Sequence, residues 1–227
     1  MHRIQDRAFY ARDARKVAKD LLGSLLVRRV DGEKLILRIT ETECYLGPED
    51  LASHARGGRI TERNRVMFGD AGHVYMFLIY GMHHCFNITA GVPGKPEAVL
   101  IRAGEALLGT HSMMNRRGLG EKQLSEKRKF REIASGPGKL SQALGLTMEQ
   151  NGLDLTDEWD SQMITLAQDG FAADPSRIQA DARIGIDYAG EFRDKPWRYY
   201  LKENDTVSIT KEKRIGKIKS DYDIQTK

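Results

Sequence analysis

The chain has 227 residues, 40% hydrophobic and 30% charged, which excludes wholesale disorder and supplies enough apolar material for one good core or two small ones. Its formal charge of +4 is too mild to argue for a nucleic-acid partner unless the basic residues cluster. The two cysteines, Cys44 and Cys85, lie far apart in strand-like runs, with no CxxC and no paired-histidine spacing. Buried free thiols are therefore expected rather than a disulfide or a structural zinc site. The first residues lack the apolar core of a signal peptide, and no apolar run approaches membrane-spanning length. The expectation is a cytoplasmic protein without a membrane partner.

In chain order, Asp13 can cap a helix running to about Leu22, with Gly23 placed to end it. A strand is predicted over 24–30, a tight turn at Asp31-Gly32, and an antiparallel partner over 34–45. Residues 46–50 leave that strand as a turn and lead into a basic loop, 54–65. A second hairpin follows: strand 73–79, reversal at 80–82, return strand 83–89. Residues 98–103 read as a short apolar strand and 105–117 as a helix. The polar, basic segment 119–131 reads as a loop or a solvated helix, with Lys127-Arg-Lys129 at its centre. Pro137 starts a helix over 138–144 that Gly145 stops, and Asn151-Gly152 marks a turn. Further strands are predicted over 163–167, 183–186, 198–201 and 207–209. Without a repeat or a low-complexity linker, the economical reading is one α+β domain over 1–210 and a charged tail over 211–227.

The stretch 39–45, Ile-Thr-Glu-Thr-Glu-Cys-Tyr, carries the most unusual pattern. Counting by twos from Leu35 places Leu37, Ile39, Glu41, Glu43 and Tyr45 on one strand face. The aliphatic start of that face points it into a core, so two carboxylates enter a partly dry place about 7 Å apart. Burying a carboxylate without a partner is costly, and such groups concentrate where their reach or protonation does chemistry. A solvated glutamate or a structural ion pair is the bland alternative. Arg102, at the end of the apolar run 99–101, is a candidate partner for Glu43, and an arginine favours the charged form of a carboxylate. An oriented carboxylate can deprotonate water. Glu41, nearer the aliphatic residues, is the candidate structural member.

Aromatics in strands are usually core, yet Tyr80 sits beside Gly81 at a hairpin tip, where a ring has little core to enter. A protruding ring suits insertion into a base stack, and Tyr45 and Phe77 can flank a planar heterocycle. His54 lies in the loop after 50–53, and Asn87 occupies a strand position that disfavours asparagine, hinting at a hydrogen bond or a steric gate. Basic residues cluster at Arg56, Arg59, Arg63 and Arg65, and again at Lys139 after the Ser-Gly-Pro-Gly of 135–138. That second cluster offers backbone N–H groups and a lysine to a phosphate without forming a Walker A motif.

Taken together these motifs resemble a family. Glu-Thr-Glu-Cys-Tyr-Leu-Gly-Pro-Glu-Asp at 41–50 with Ala-Ser-His at 52–54 is similar to the active-site strand of the alkyladenine (3-methyladenine) DNA glycosylases. Arg-Asn-Arg-Val-Met-Phe at 63–68, 80–87, Val-Leu-Ile-Arg at 99–102, 135–140, Arg-Ile-Gly-Ile at 183–186 and Lys-Pro-Trp-Arg-Tyr at 195–199 resemble it in the same order. The likeness runs from about residue 21 to about 208.

The resemblance implies an α+β single domain with a curved, mostly antiparallel sheet and a protruding hairpin. It implies a monofunctional glycosylase acting on double-stranded DNA with damaged purines, as a monomer, with no cofactor and no metal. Glu43 would then be the general base and Arg102 would orient it. Tyr45, His54, Phe77 and Asn87 would form the base pocket, Tyr80 and Met82 would enter the duplex, and Arg59, Arg63 and Lys139 would hold the backbone. Phe77 stands where the family often has tyrosine, which leaves stacking but removes a hydroxyl. Two alternatives remain open on the residues alone: a non-catalytic nucleic-acid module, and a metal-dependent nuclease built on Glu41, Glu43 and Asp50.

Overall fold

In the computed structural model, residues 1–120, 131–160 and 163–208 are described. Nine strands form one open sheet with each pairing antiparallel: β1 (His2–Arg3), β2 (Leu25–Val30), β3 (Glu33–Leu46), β4 (Val74–Ile79), β5 (His83–Ala90), β6 (Glu97–Leu108), β7 (Ile164–Gln168), β8 (Ile178–Asp181) and β9 (Arg198–Leu201). The main path runs β1-β7-β2-β3-β6-β5-β4. Helices α1 (Arg7–Tyr10), α2 (Ala14–Asp20), α3 (Thr110–Arg116) and α4 (Pro137–Ala143) lie at the periphery. Asp13 caps α2 by accepting from the Arg15 N–H, as its sequence position predicts. The main core holds Leu21, Leu35, Leu37, Ile39, Phe86, Ile101 and Leu140, between the sheet and the helices.

The long strand β3 organises the molecule. β6 follows one of its edges from Ile36 to Leu46. On the other edge β2 pairs with residues 33–38, and β9 takes over at 41–43. Two register shifts fall together: Thr40 is an extra residue on β3, and Arg102 is an extra residue opposite on β6. A bulge of this kind changes which residues face which side. The expected single face, Leu35 through Tyr45, is corrected here. Leu35, Leu37 and Ile39 do join the main core, but after Thr40 the core-facing residues are Thr42, which donates to the Ala18 carbonyl, and Cys44. Glu41, Glu43 and Tyr45 face the opposite side.

Other expectations also shift. The predicted helix over 105–117 begins late. Residues Glu105 and Ala106 pair with Arg38 and Leu37, so β6 continues to Leu108, and Gly109 at φ +75° turns the chain into α3. Cross-strand pairing prevails there over helical propensity. Residues 183–186 are not a strand, because Arg183 is drawn into a buried ion pair and the Ile184 N–H turns to a carboxylate. Val207 and Ser208 are not strand either; the Ser208 N–H donates to Glu41. Lys127–Lys129 and the tail beyond 208 lie outside the described residues, and with them the expected boundary at 210. Among the described residues no helix is long and apolar enough to cross a membrane.

Candidate active site

The bulge delivers Glu43 to the underside of a cleft of about 400 Å³. Glu43 is fully buried, and three donors converge on it. The Ile184 N–H meets Oε1 at 2.7 Å, Arg102 Nη1 lies 3.2 Å from the same oxygen, and the Tyr45 hydroxyl donates to Oε2 at 2.7 Å. Glu43 itself is not part of the cleft surface, but Tyr45, Arg102 and Ile184 all are. Burial, then the charge of Glu43 and its hydrogen bond, push the Tyr45 pKa well above the ordinary value, which keeps its hydroxyl a donor. Burial opposes the Arg102 charge, but the Glu43 and Glu41 carboxylates outweigh it and raise the Arg102 pKa.

Glu41 sits two residues earlier with the same zero exposure and different company. It accepts from Arg198 Nη1 at 2.9 Å, Arg102 Nε at 3.4 Å, the Ser208 N–H at 2.8 Å and the Ser208 hydroxyl. Burial works against its charge, yet Arg102, Ser208 and Arg198 together hold its pKa below the usual carboxylate value. Asp50 is taken up by Arg183, at 2.5 and 2.8 Å. The acidic trio of the nuclease alternative is thus divided among arginines, and no group of three or more His, Cys, Asp or Glu among the described residues is placed to hold a metal ion.

The cleft walls come from alternate positions on β4, β5 and β6, from Tyr45 on β3 and from loops. On β4, Tyr75 and Phe77 face the cleft while Val74 and Met76 enter the main core. On β6, Ala98, Leu100 and Arg102 face it while Val99 and Ile101 enter the core. His54 lies against Phe77 with ring centroids 3.9 Å apart, and its Nδ1 is 2.9 Å from the Tyr75 hydroxyl. His54 is exposed and lines the cleft, but its ring is wedged between aromatics. Burial, and then the Arg63 and Arg56 charges, bring its pKa down to about 4, so the imidazole is neutral near pH 7. Asn87 Nδ2 donates to the Tyr75 and Cys85 carbonyls at 3.0 and 3.2 Å, which fixes the amide on the cleft wall.

At the mouth, the β4–β5 reversal is tight: the Met82 N–H donates to the Ile79 carbonyl at 3.1 Å, with Tyr80 at φ +53° and Gly81 at φ +68°. A left-handed tyrosine costs backbone energy that glycine would not. The turn throws Tyr80, 85% exposed, and Met82, 71% exposed, away from the body. Arg63 does not stand apart as a surface cation. Its guanidinium lies over the Phe77 ring at 4.1 Å, and Nη2 donates to the Leu78 carbonyl, which ties the basic loop to the hairpin. Arg59 is exposed, and Lys139 on α4 pairs with Glu132 at 2.7 Å.

Residues 8–205 match the sequence profile of a family described as Methylpurine-DNA glycosylase (MPG). The chain belongs to that family. It is a DNA glycosylase, a DNA-repair enzyme whose substrate is DNA. A relative from Natranaerobius thermophilus, named "Putative 3-methyladenine DNA glycosylase", is 45% identical over 206 residues, covering 90% of this chain and 98% of its own. Relatives with the same name from Methanocella arvoryzae and Bacillus cereus are 46% and 45% identical, over 90% and 88% of this chain and 96% and 97% of theirs.

In this glycosylase the structure gathers Arg102, Tyr45, His54, Phe77, Asn87, Tyr80 and Arg63 around one cleft, with Glu43 directly behind it. Met82, Arg59 and Lys139 do not line it. Sequence reasoning missed Tyr75, although its position two residues before Phe77 on the same strand face signals it. It also missed the Ile184 amide and the Arg183–Asp50 pair, which have no local signature.

Proposed function

We propose that this glycosylase hydrolyses the N-glycosidic bond of methylated purines in duplex DNA, 3-methyladenine and 7-methylguanine foremost, with hypoxanthine and ethenoadenine as neutral substrates. The observation that carries this reading is the position of Glu43: a buried carboxylate held by three donors behind an aromatic cleft of about 400 Å³, ample room for a purine base. A base inside a duplex is inaccessible at its sugar, so the nucleotide turns out into the cleft and Tyr80 and Met82 fill the gap it leaves. Tyr45, His54 and Phe77 then flank the purine, and the Asn87 amide crowds an exocyclic amine. Arg59, Arg63 and Lys139 contact phosphates.

As the C1′–N bond lengthens, charge develops as in an oxocarbenium ion, and the Glu43 carboxylate beneath it stabilises that charge. Water passes a proton to Glu43 and its oxygen bonds to C1′, while the base departs with the electrons of the broken bond. A cationic 3-methyladenine leaves neutral without further help, whereas a neutral base needs a proton first. Neutral His54 stacks without adding a positive charge that would repel a cationic purine. No lysine lies within the 41–50 motif, so no Schiff-base lyase step is expected and the product is an intact abasic site. The enzyme acts as a monomer in the cytoplasm.

Incubation with methylated duplex, followed by chromatography of the liberated bases, tests the reading. Wild-type protein should free 3-methyladenine, and Glu43→Gln should bind the damaged duplex but free none. Equal release by both proteins would remove Glu43 as the base.

A further inference from the structure

Arg183 and Asp50 are fully buried, 133 residues apart in sequence, and absent from the cleft surface. Their guanidinium–carboxylate pair is bidentate, at 2.5 and 2.8 Å. Each partner is then bonded to backbone. Arg183 Nη1 donates to the Cys44 carbonyl at 3.0 Å, and Asp50 accepts from the Leu46 and Ala52 N–H groups at 3.1 and 3.0 Å. The guanidinium also lies 4.7 Å from the Tyr45 ring centroid.

Every one of these anchor points is a near neighbour in sequence of a cleft group. Cys44 lies between Glu43 and Tyr45, Ala52 lies two residues before His54, and Arg183 itself precedes Ile184, whose N–H sits 2.7 Å from Glu43. A buried ion pair adds little net stability over well-packed apolar residues of the same volume. A planar fork on a carboxylate does fix distance and angle together, which apolar contacts do not. The pair therefore supplies geometry where geometry is needed.

We propose that Arg183 and Asp50 are positioning residues for the reaction. They lock the 182–186 bend onto the end of β3, so that the Ile184 amide and the Tyr45 hydroxyl hold the two Glu43 oxygens in the orientation that meets water. This rests on the reading of Glu43 as the general base. Slack in the bend lets the Ile184 amide drift from Oε1. Glu43 then loses one of its donors and takes up a range of orientations.

The double variant Asp50→Leu/Arg183→Met replaces the pair with apolar groups of similar bulk and is expected to fold. We expect its single-turnover base release to fall by about tenfold to a hundredfold. Its affinity for damaged duplex should stay within about twofold, because no phosphate or cleft group has been removed. The loss should sit in the chemical step with binding intact, a split that loosened packing of the cleft walls would not produce. Asp50→Asn, measured the same way, provides a second variant if the double one does not fold. A folded variant with the wild-type rate, or one whose rate loss is matched by an equal loss of affinity, would overturn the proposal. Glu43→Gln measured in parallel separates the two ideas. A fully active Glu43→Gln refutes the base assignment, whereas a dead Glu43→Gln beside a fully active Asp50→Leu/Arg183→Met refutes the positioning role alone.

Discussion

Glu41 and Glu43 share a strand, a face, an arginine and zero exposure, yet they occupy different surroundings. Glu41 is enclosed by Arg198 and both donors of Ser208, groups that belong to the sheet edge and the 206–208 segment. Glu43 is held by Tyr45, Arg102 and Ile184, each of which also forms cleft wall. Burial alone does not distinguish a structural carboxylate from a chemical one. What distinguishes them is whether the partners face packed protein or a space that a substrate can enter.

The contrast is broken most forcefully by exchanging the losses. Glu43→Gln should lower single-turnover base release by at least about 10²–10⁴-fold, the span expected for a general base. Glu41→Ala should instead show its main effect in chemical denaturation, at a cost of up to about 3–5 kcal/mol, because buried Arg102 and Arg198 each lose one of two carboxylate partners. If Glu41→Ala unfolds at the wild-type denaturant concentration, the structural assignment is wrong. A smaller effect is expected at the mouth. Tyr80→Ala removes one stacking ring and should weaken binding to damaged duplex by about 1–3 kcal/mol, read as a shifted titration of a fluorescent base analogue. An unshifted titration would take Tyr80 out of the duplex.

The smallest effect concerns His54. Its folded-state pKa of about 4 lies below the ordinary 6.5, so between those values the unfolded chain holds the extra proton. The contribution of His54 to stability is therefore present above about 6.5 and lost as pH falls toward about 4. Titration of its imidazole by NMR should show a midpoint near 4, and Arg63→Gln should raise that midpoint slightly by removing the second-ranked cause. A wild-type midpoint near 6.5 would mean that the aromatic wall does not desolvate the ring.

Much of the fold was legible because it rests on local signals. Asp13 as a cap, Asp31-Gly32 as a turn, the β4–β5 hairpin and α4 behind Pro137 all follow from spacing and turn chemistry. Glu43 and Arg102 were legible too, but for a reason only half right. Alternation from Leu35 predicts that Glu43 is buried, and it is; it does not predict the Thr40 bulge that sends it away from Ile39. Bulges arise from pairing between distant segments, so no short window contains them. The same limit hid the Arg183–Asp50 pair and the Ile184 amide, and it made 105–108 read as helix when their partners lie on β3.

The offset at Thr40 has a consequence for how this strand can change. Ahead of it the pleat seals an oily interior, and beyond it the same pleat backs an open chamber. Because side chains alternate with a period of two, gaining or losing one residue there would swap the two compartments' occupants. Glu43 would be driven among aliphatic groups and Cys44 would be turned toward the cleft. Substitutions along the strand can be absorbed one at a time, but its length between Ile39 and Glu43 decides which residues reach the cleft.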